Sequence, residues 1–250
     1  MKPKASRKRL DLLLVERGFA DSTQKANAMI LAGEVQVDSQ PANKSGMPVA
    51  EDARIEINSR LQRFSSRGGT KLEGALQDFA VDPAGWVCLD IGASNGGFTD
   101  CLLQHGATRI YALDVNVSQL DWKLTKDARV FPVKRNAREL RPDDLPEPVD
   151  LVVIDVSFIS VQKVIAPAVE VAKPGAVFLI LIKPQFELPR EDIGPGGVVT
   201  DQALRDLAIQ LVRQFVGSTV LENLEIRPSR LLGAEGNQEY FLHARKKAMG

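Results

Sequence analysis

Two lysines and two acids, far apart in the chain, stand where ionisable groups could work together. Lys183 follows the apolar run Val177–Ile182 at once, and Asp155 follows "LVVI" in the same manner. Both runs read as buried parallel strands, so both charges emerge at the carboxyl edge of one sheet, where ligands of such sheets bind. Lys71 lies near the start of a helix that precedes the first strand, with its N-terminus at that same edge. Glu239 precedes "YFLHA", and joins the other three if that last strand is antiparallel. Burying an ammonium is costly unless a partner meets it. A second cation and desolvation disfavour the ammonium while the acids favour it, and a lysine so balanced can serve as a general base. The expectation is that Lys183 takes a proton from a hydroxyl. Asp155 orients Lys183, Lys71 assists, and Glu239 fixes Lys71 or the attacking ribose.

The second group is "LDIGASNGGFTD", Leu89–Asp100, with glycine at 92, 96 and 97 between a strand and a helix. Glycine lets the backbone approach a ligand, and the helix N-terminus offers free N–H groups. A dinucleotide fingerprint needs glycine at position 94, where Ser94 stands. The pattern suits S-adenosylmethionine, with Asp114 at the next strand end placed to grip ribose hydroxyls. The cofactor set expected is Asp90, Gly92, Ala93, Ser94, Gly96, Gly97, Phe98, Asp114, Val115 and Asn136, whose amide can read an adenine edge. Cys88 and Cys101 fall inside a strand and a helix, which argues against a cysteine nucleophile. No amino-group box of the N/D-P-P-Y/F type occurs, His105 and His243 lack metal spacing, and no metal is expected. An oxygen acceptor remains.

The elements that hold these residues alternate from Thr70 onward. Helices are expected at 70–80, 96–106, 118–127, 160–172 and 200–217, the last capped by Thr200. Strands are expected at 85–92, 109–115, 128–135, 149–158 and 176–184, with two more near the C-terminus. That order is an α/β, doubly wound, mainly parallel Rossmann-like sheet. Ahead of it, residues 1–58 read as a small α+β domain: Leu10, Leu13, Leu14 and Phe19 at helical spacing, a second helix capped by Ser22 and stopped by Gly33, then short strands. Residues 59–67 read as a polar, basic linker, and 68–250 as the larger domain.

Composition fits this division. The 250 residues are 44% hydrophobic and 26% charged with no net charge. Residues 1–67 nevertheless carry 12 basic against 8 acidic side chains, and Lys2, Lys4, Arg7, Lys8 and Arg9 precede the first acid. A basic module touching phosphate is the sharper reading. The basic N-terminus lacks the apolar core of a signal peptide, no run is long enough to span a bilayer, and two isolated cysteines suit the reducing cytoplasm.

Taken together, "SRGGTKLE", "DIGASNGGFTD", "ALDVNVSQLDWKL", "NAREL", "IDVSFIS", "LIKPQFE", "GPGGVVTD" and "GAEGNQEY" resemble the haemolysin-A-like (TlyA) family of ribosomal RNA 2′-O-methyltransferases, with an FtsJ-type catalytic domain. The resemblance runs from about Arg7 to Arg245. It implies that Lys71, Asp155, Lys183 and Glu239 form a catalytic tetrad, that the glycine loop and Asp114 hold S-adenosylmethionine, and that the acceptor is a cytidine ribose in ribosomal RNA or a ribosomal subunit. It also implies that the N-terminal domain binds RNA, through Arg7, Lys8, Arg9 and Lys25, with Arg67 beside the linker. Thr23, Asn95, Asn116, Lys134 and Arg135 depart from the family's usual residues. Other readings of the same residues are a non-enzymatic ribosome-assembly factor and a nicotinamide-dependent oxidoreductase. A pore-former is disfavoured for want of an export signal and a span.

Overall fold

The computed structural model describes all residues except 1–6, 21, 32, 43, 58–62, 234 and 249–250. Lys2, Lys4 and residues 59–62 of the expected linker therefore lie outside the described residues. The chain divides into two compact units, 1–63 and 64–250.

In the first unit, β1 (Arg7–Arg9) leads directly into α1 (Leu10–Glu16), then α2 (Thr23–Leu31), β2 (Val35–Val37), β3 (Gln40–Pro41), β4 (Pro48–Ala50) and β5 (Ile55–Ile57). β1 pairs with β4, and β2 lies between β3 and β5, all antiparallel. Ser22 accepts from the Lys25 amide at 3.1 Å, as a cap should. Gly33 takes φ +77 after the helix, a conformation that costs other residues a clash at Cβ. Leu10, Leu13, Leu14, Ala26, Ile30 and Val35 close a small core. Phe19, expected beside them, is exposed, because α1 stops three residues earlier and Gly18 turns the chain away.

In the second unit, α3 (Arg67–Asp78) precedes β6 (Val87–Ile91), α4 (Gly97–Gln104), β7 (Arg109–Asp114), α5 (Trp122–Thr125), β8 (Val130–Lys134), β9 (Val149–Ile154), α6 (Gln162–Glu170) and β10 (Ala172–Ile182). α7 (Pro184–Glu187), α8 (Gln202–Gly217), β11 (Leu221–Pro228) and β12 (Tyr240–Lys246) complete it. The seven strands lie in the order β11-β12-β10-β9-β6-β7-β8. β10, β9, β6, β7 and β8 are parallel, and β12 runs against both its neighbours.

Helices cover both faces, which explains why the central strands are apolar throughout rather than alternating. Ile91, Val152, Ile154, Phe178 and Ile180 pack with α6 and α8 on one face. Cys88, Leu151, Val153, Leu179 and Leu181 pack with α3 and α4 on the other. Each such side chain, fully buried, contributes roughly 1.5–3 kcal/mol.

Three expectations need correction. Residues 64–67 are not linker: Phe64 is buried in the core, and Ser66 caps α3 by accepting from the Gly68 amide at 3.2 Å, so the helix begins at Arg67. α8 is capped by Asp201, whose carboxylate accepts from the Ala203 amide at 2.8 Å, rather than by Thr200. The helix expected at 118–127 shrinks to a 3-10 turn at Val117–Gln119 and to α5, because Asp121 starts a new cap between them.

Candidate active site

The sheet register determines what meets at its carboxyl edge. Ile180 lies opposite Ile154 in the parallel pair β10 and β9, so Asp155 and Lys183 leave their strands side by side. Ile182 lies opposite Tyr240 in the antiparallel pair β10 and β12. Glu239, one residue before Tyr240, therefore starts β12 at the level of Lys183.

The four side chains settle as two ion pairs. Lys183, 8% exposed, pairs with Asp155 and also donates to Ser157 Oγ at 2.9 Å. Lys71, buried on the second turn of α3, donates to Glu239 Oε2 at 2.6 Å. Lys71, Asp155 and Lys183 line one cleft of about 190 Å³, whose floor includes Gly92, Ser94 and Gly97. Glu239 is buried behind Lys71. Gly233 makes room for it: a Cβ there would lie 2.6 Å from Glu239 Oε1.

The glycine loop is fitted tightly to its neighbours. Gly92 has φ +87, and a Cβ on it would come within 2.2 Å of the Asp155 backbone oxygen. A Cβ on Gly97 would lie 2.0 Å from Ser66 Oγ. Gly68 at the N-terminus of α3 and Gly97 at that of α4 both line the cleft, and helix N-termini favour a carboxylate or other anion. Asp114, at the end of β7, accepts from the Ser94 and Asn116 amides at 2.9 Å each, which pins the loop to the next strand. Its two oxygens keep further lone pairs for hydroxyl donors.

Not every expected cofactor residue reaches the cleft. Ala93 and Phe98 line it, and Phe98 packs against Phe241. Val115 is exposed just past Asp114. Asn136 spends its side-chain oxygen on a local turn, accepting from the Arg138 amide at 3.2 Å. Asp90 lies fully buried beneath the loop, where it accepts from Thr99 Oγ1 at 2.7 Å, and its other oxygen has no partner. An orphaned buried acceptor under a glycine turn, two helix N-termini and an acid at the ribose position together fit the aminoacyl and ribose parts of S-adenosylmethionine.

Burial pushes the Asp90 carboxyl up to about 7, against the hydrogen bond from Thr99 and helped by the charge of Asp155. The ordinary value is 3.8, so the folded protein holds a proton there that the unfolded chain releases. Its contribution is therefore full below pH about 4 and is lost as pH rises to about 7, a penalty on the order of 4 kcal/mol. Asp90→Asn in the ligand-free protein should gain stability over wild type between pH 5 and 8. Chemical denaturation across that range checks the sign, since a constant or shrinking difference contradicts it.

Several residues escaped the sequence reading. Ser157 touches Lys183. Glu187 accepts from Ser160 Oγ at 2.6 Å and the Val161 amide at 2.7 Å, tying the Asp155 loop to α7. Asn237, buried, accepts from the Val199 amide and donates to the Gly197 oxygen, both at 2.8 Å. Serine two places after a strand-end aspartate, and an acid shortly after Lys183, were the available signals.

In the first unit, Arg7, Lys8 and Arg9 share β1. Lys8 pairs with Glu16, and Arg9 with Asp11 at 2.7 Å. Lys25 is exposed on α2. Arg67 belongs to the other unit, where it donates to the Leu232 oxygen at 3.4 Å. Among the described residues, no group of three or more potential metal ligands occurs, and no helix is long and apolar enough to cross a membrane.

Comparison with known proteins supplies the rest. Residues 64–246 match the model of the FtsJ-like methyltransferases, and residues 8–55 match the S4 domain. The chain is 43% identical to the 16S/23S rRNA (cytidine-2′-O)-methyltransferase TlyA of Mycobacterium tuberculosis over 243 residues, 96% of this chain and 91% of that protein. It is 38% identical to Hemolysin A of Brachyspira hyodysenteriae, over 94% of this chain and 98% of that protein. The solved structure of a putative hemolysin from Streptococcus thermophilus superposes with a TM-score of 0.76 at 32% identity, covering 98% of this chain and 90% of that one.

Proposed function

Because the chain belongs to the FtsJ-like methyltransferases, and along nearly its whole length to their TlyA members, we propose that it methylates the 2′-hydroxyl of a cytidine in ribosomal RNA, with Lys183 as the general base. The observation that carries this reading is Lys183, held by Asp155 and Ser157 at the edge of the cleft over the glycine loop.

Residues 92–97 and Asp114 would hold S-adenosylmethionine, which would supply an electrophilic methyl group. The chain's own residues align the acceptor and manage its proton. Lys71, fixed by Glu239, offers a cation on the opposite wall to hold the ribose and its phosphate. Lys183 Nζ takes the proton of the 2′-hydroxyl as that oxygen becomes nucleophilic. Alignment in such a site is worth as much as proton removal, so four rigidly held side chains suit the task. An rRNA substrate places this work in the cytoplasm.

Incubating the protein with labelled S-adenosylmethionine and free 16S and 23S rRNA or assembled subunits, then mapping modified nucleotides, tests the proposal. Label on a cytidine 2′-oxygen is expected; label on a base, or none in any substrate, would overturn it.

The S4 unit would supply phosphate contacts. Lys25→Ala should weaken RNA binding at every sequence alike and lower the slope of log affinity against log salt by about 1. Affinity for S-adenosylmethionine should stay unchanged. An unaltered slope in filter-binding titrations would remove Lys25 from the interface.

A further inference from the structure

A general base needs its lone pair aimed as well as its proton gone. A neutral lysine amine carries two hydrogens and one lone pair at tetrahedral angles, and free rotation about the Cε–Nζ bond would spread that lone pair over a full circle. Here the rotation is constrained. Asp155 forms an ion pair with Lys183, and Ser157 Oγ accepts one of its N–H groups at 2.9 Å. One N–H drawn to Ser157 on an amine held beside Asp155 restricts that rotation. Ser157, Asp155 and Lys183 all line the same cleft.

The placement of Ser157 is itself enforced. Asp155, two residues before it, donates its amide to the Ile91 oxygen at 2.9 Å, and its carbonyl presses on Gly92. Phe158, the next residue, is forced to φ +66, a left-handed conformation that costs a non-glycine residue on the order of 1 kcal/mol or more. Such strain persists only where the surroundings over-determine it. Beyond Phe158, Glu187 gathers Ser160 Oγ, the Val161 amide and Gln162 Nε2. Glu187 ends α7, and α7 begins at the residue after Lys183. The loop carrying Ser157 and the turn carrying Lys183 are thus strapped together on both sides of their contact.

We propose that Ser157 is a positioning residue, which accepts one N–H of Lys183 so that the amine lone pair faces the acceptor hydroxyl in the cleft. The inference rests on the reading of Lys183 as base. When Lys183 takes the hydroxyl proton, the third N–H of the new ammonium occupies the direction the lone pair held. Ser157 keeps its N–H throughout with Asp155 beside the amine, and the proton passes to water after turnover.

The test compares wild type with Ser157→Ala, Ser157→Thr and Lys183→Ala in the full chain, measuring kcat, RNA KM, S-adenosylmethionine affinity, thermal stability and the pH profile of kcat. Ser157→Ala should lower kcat at least tenfold, with KM and cofactor affinity within about twofold, and move the acidic limb of the profile to lower pH because the ammonium has lost an acceptor. Ser157→Thr, which keeps a hydroxyl, should recover most of kcat. A Ser157→Ala enzyme with wild-type kcat beside an inactive Lys183→Ala enzyme overturns the positioning role and leaves the base assignment standing. A Lys183→Ala enzyme with wild-type kcat overturns both. A loss of kcat in Ser157→Ala with an unmoved pH profile and no rescue by threonine marks a merely structural residue, and also overturns the inference.

Discussion

Lys183→Ala is expected to lower rRNA methylation about a thousandfold or more while leaving S-adenosylmethionine affinity within a few-fold of wild type. A thousandfold corresponds to about 4 kcal/mol of barrier, within the range a positioned general base supplies. Lys183 is not among the residues proposed to hold the methyl donor, so those contacts would remain when the amine is removed. Asp155, left with an unpaired charge, can still meet water at its partly open side. Lys183→Arg should fail almost as badly. A guanidinium keeps both the ion pair and the positive charge but cannot release its proton in this pH range, so it preserves the electrostatics and abolishes the base. Single-turnover methylation with saturating RNA separates the two losses from binding. An arginine variant close to wild type would mean that charge alone is required at this position, and the proton-transfer role would be withdrawn.

That arrangement could be read in the sequence to the extent that it follows from strand ends. Asp155 and Lys183 each close an uninterrupted apolar run, and in a parallel sheet covered on both faces such runs must end at a common edge. Glu239 needed one further assumption, the reversed direction of the last strand, and the Ile182–Tyr240 register satisfies it. The loop with glycine at 92, 96 and 97 was legible as a glycine-rich turn, and the fold shows why: a Cβ on Gly92 would meet the Asp155 backbone, one on Gly96 the Leu124 side chain and one on Gly97 Ser66 Oγ. What stayed hidden depends on through-space contacts with no period. Ser157 and Glu187 read as ordinary loop and turn residues until the fold places them against Lys183 and Ser160. Asn237 looks like a turn former, yet it is buried and bonds two loops.

Composition misled at the junction between units. "QRFSSRGG" is polar and glycine-tipped, which suggested a linker, but one buried phenylalanine and one capping serine assign its residues from Phe64 onward to the larger unit. The burial of Asp90 was hidden for the converse reason. A strand-end acid beside a glycine turn reads as accessible in sequence, and only the packing of the loop over it shows that it is fully buried.

The pair Lys71–Glu239 offers the clearest separation of stability from function. Its side chains are 10% and 3% exposed, so neither charge is well hydrated. Breaking such a pair by removing one partner strands the other, at a cost of about 3–5 kcal/mol. For a unit of this size that corresponds to a fall in Tm of roughly 6–20 °C. Glu239→Ala should show this fall and lose activity as well, an outcome that by itself cannot distinguish a structural from a catalytic pair. The double variant Lys71→Met, Glu239→Leu removes both charges and refills the volume, and replacing a buried ion pair in this way is often neutral or stabilising. Its Tm should return to wild type or exceed it. If the pair serves the reaction, methylation stays absent in the refolded double variant, because nothing on that wall of the cleft then holds the ribose and phosphate. Recovery of methylation together with Tm would show that Lys71 and Glu239 only fill space between α3 and the start of β12, and would leave Lys183 and Asp155 to carry the chemistry alone.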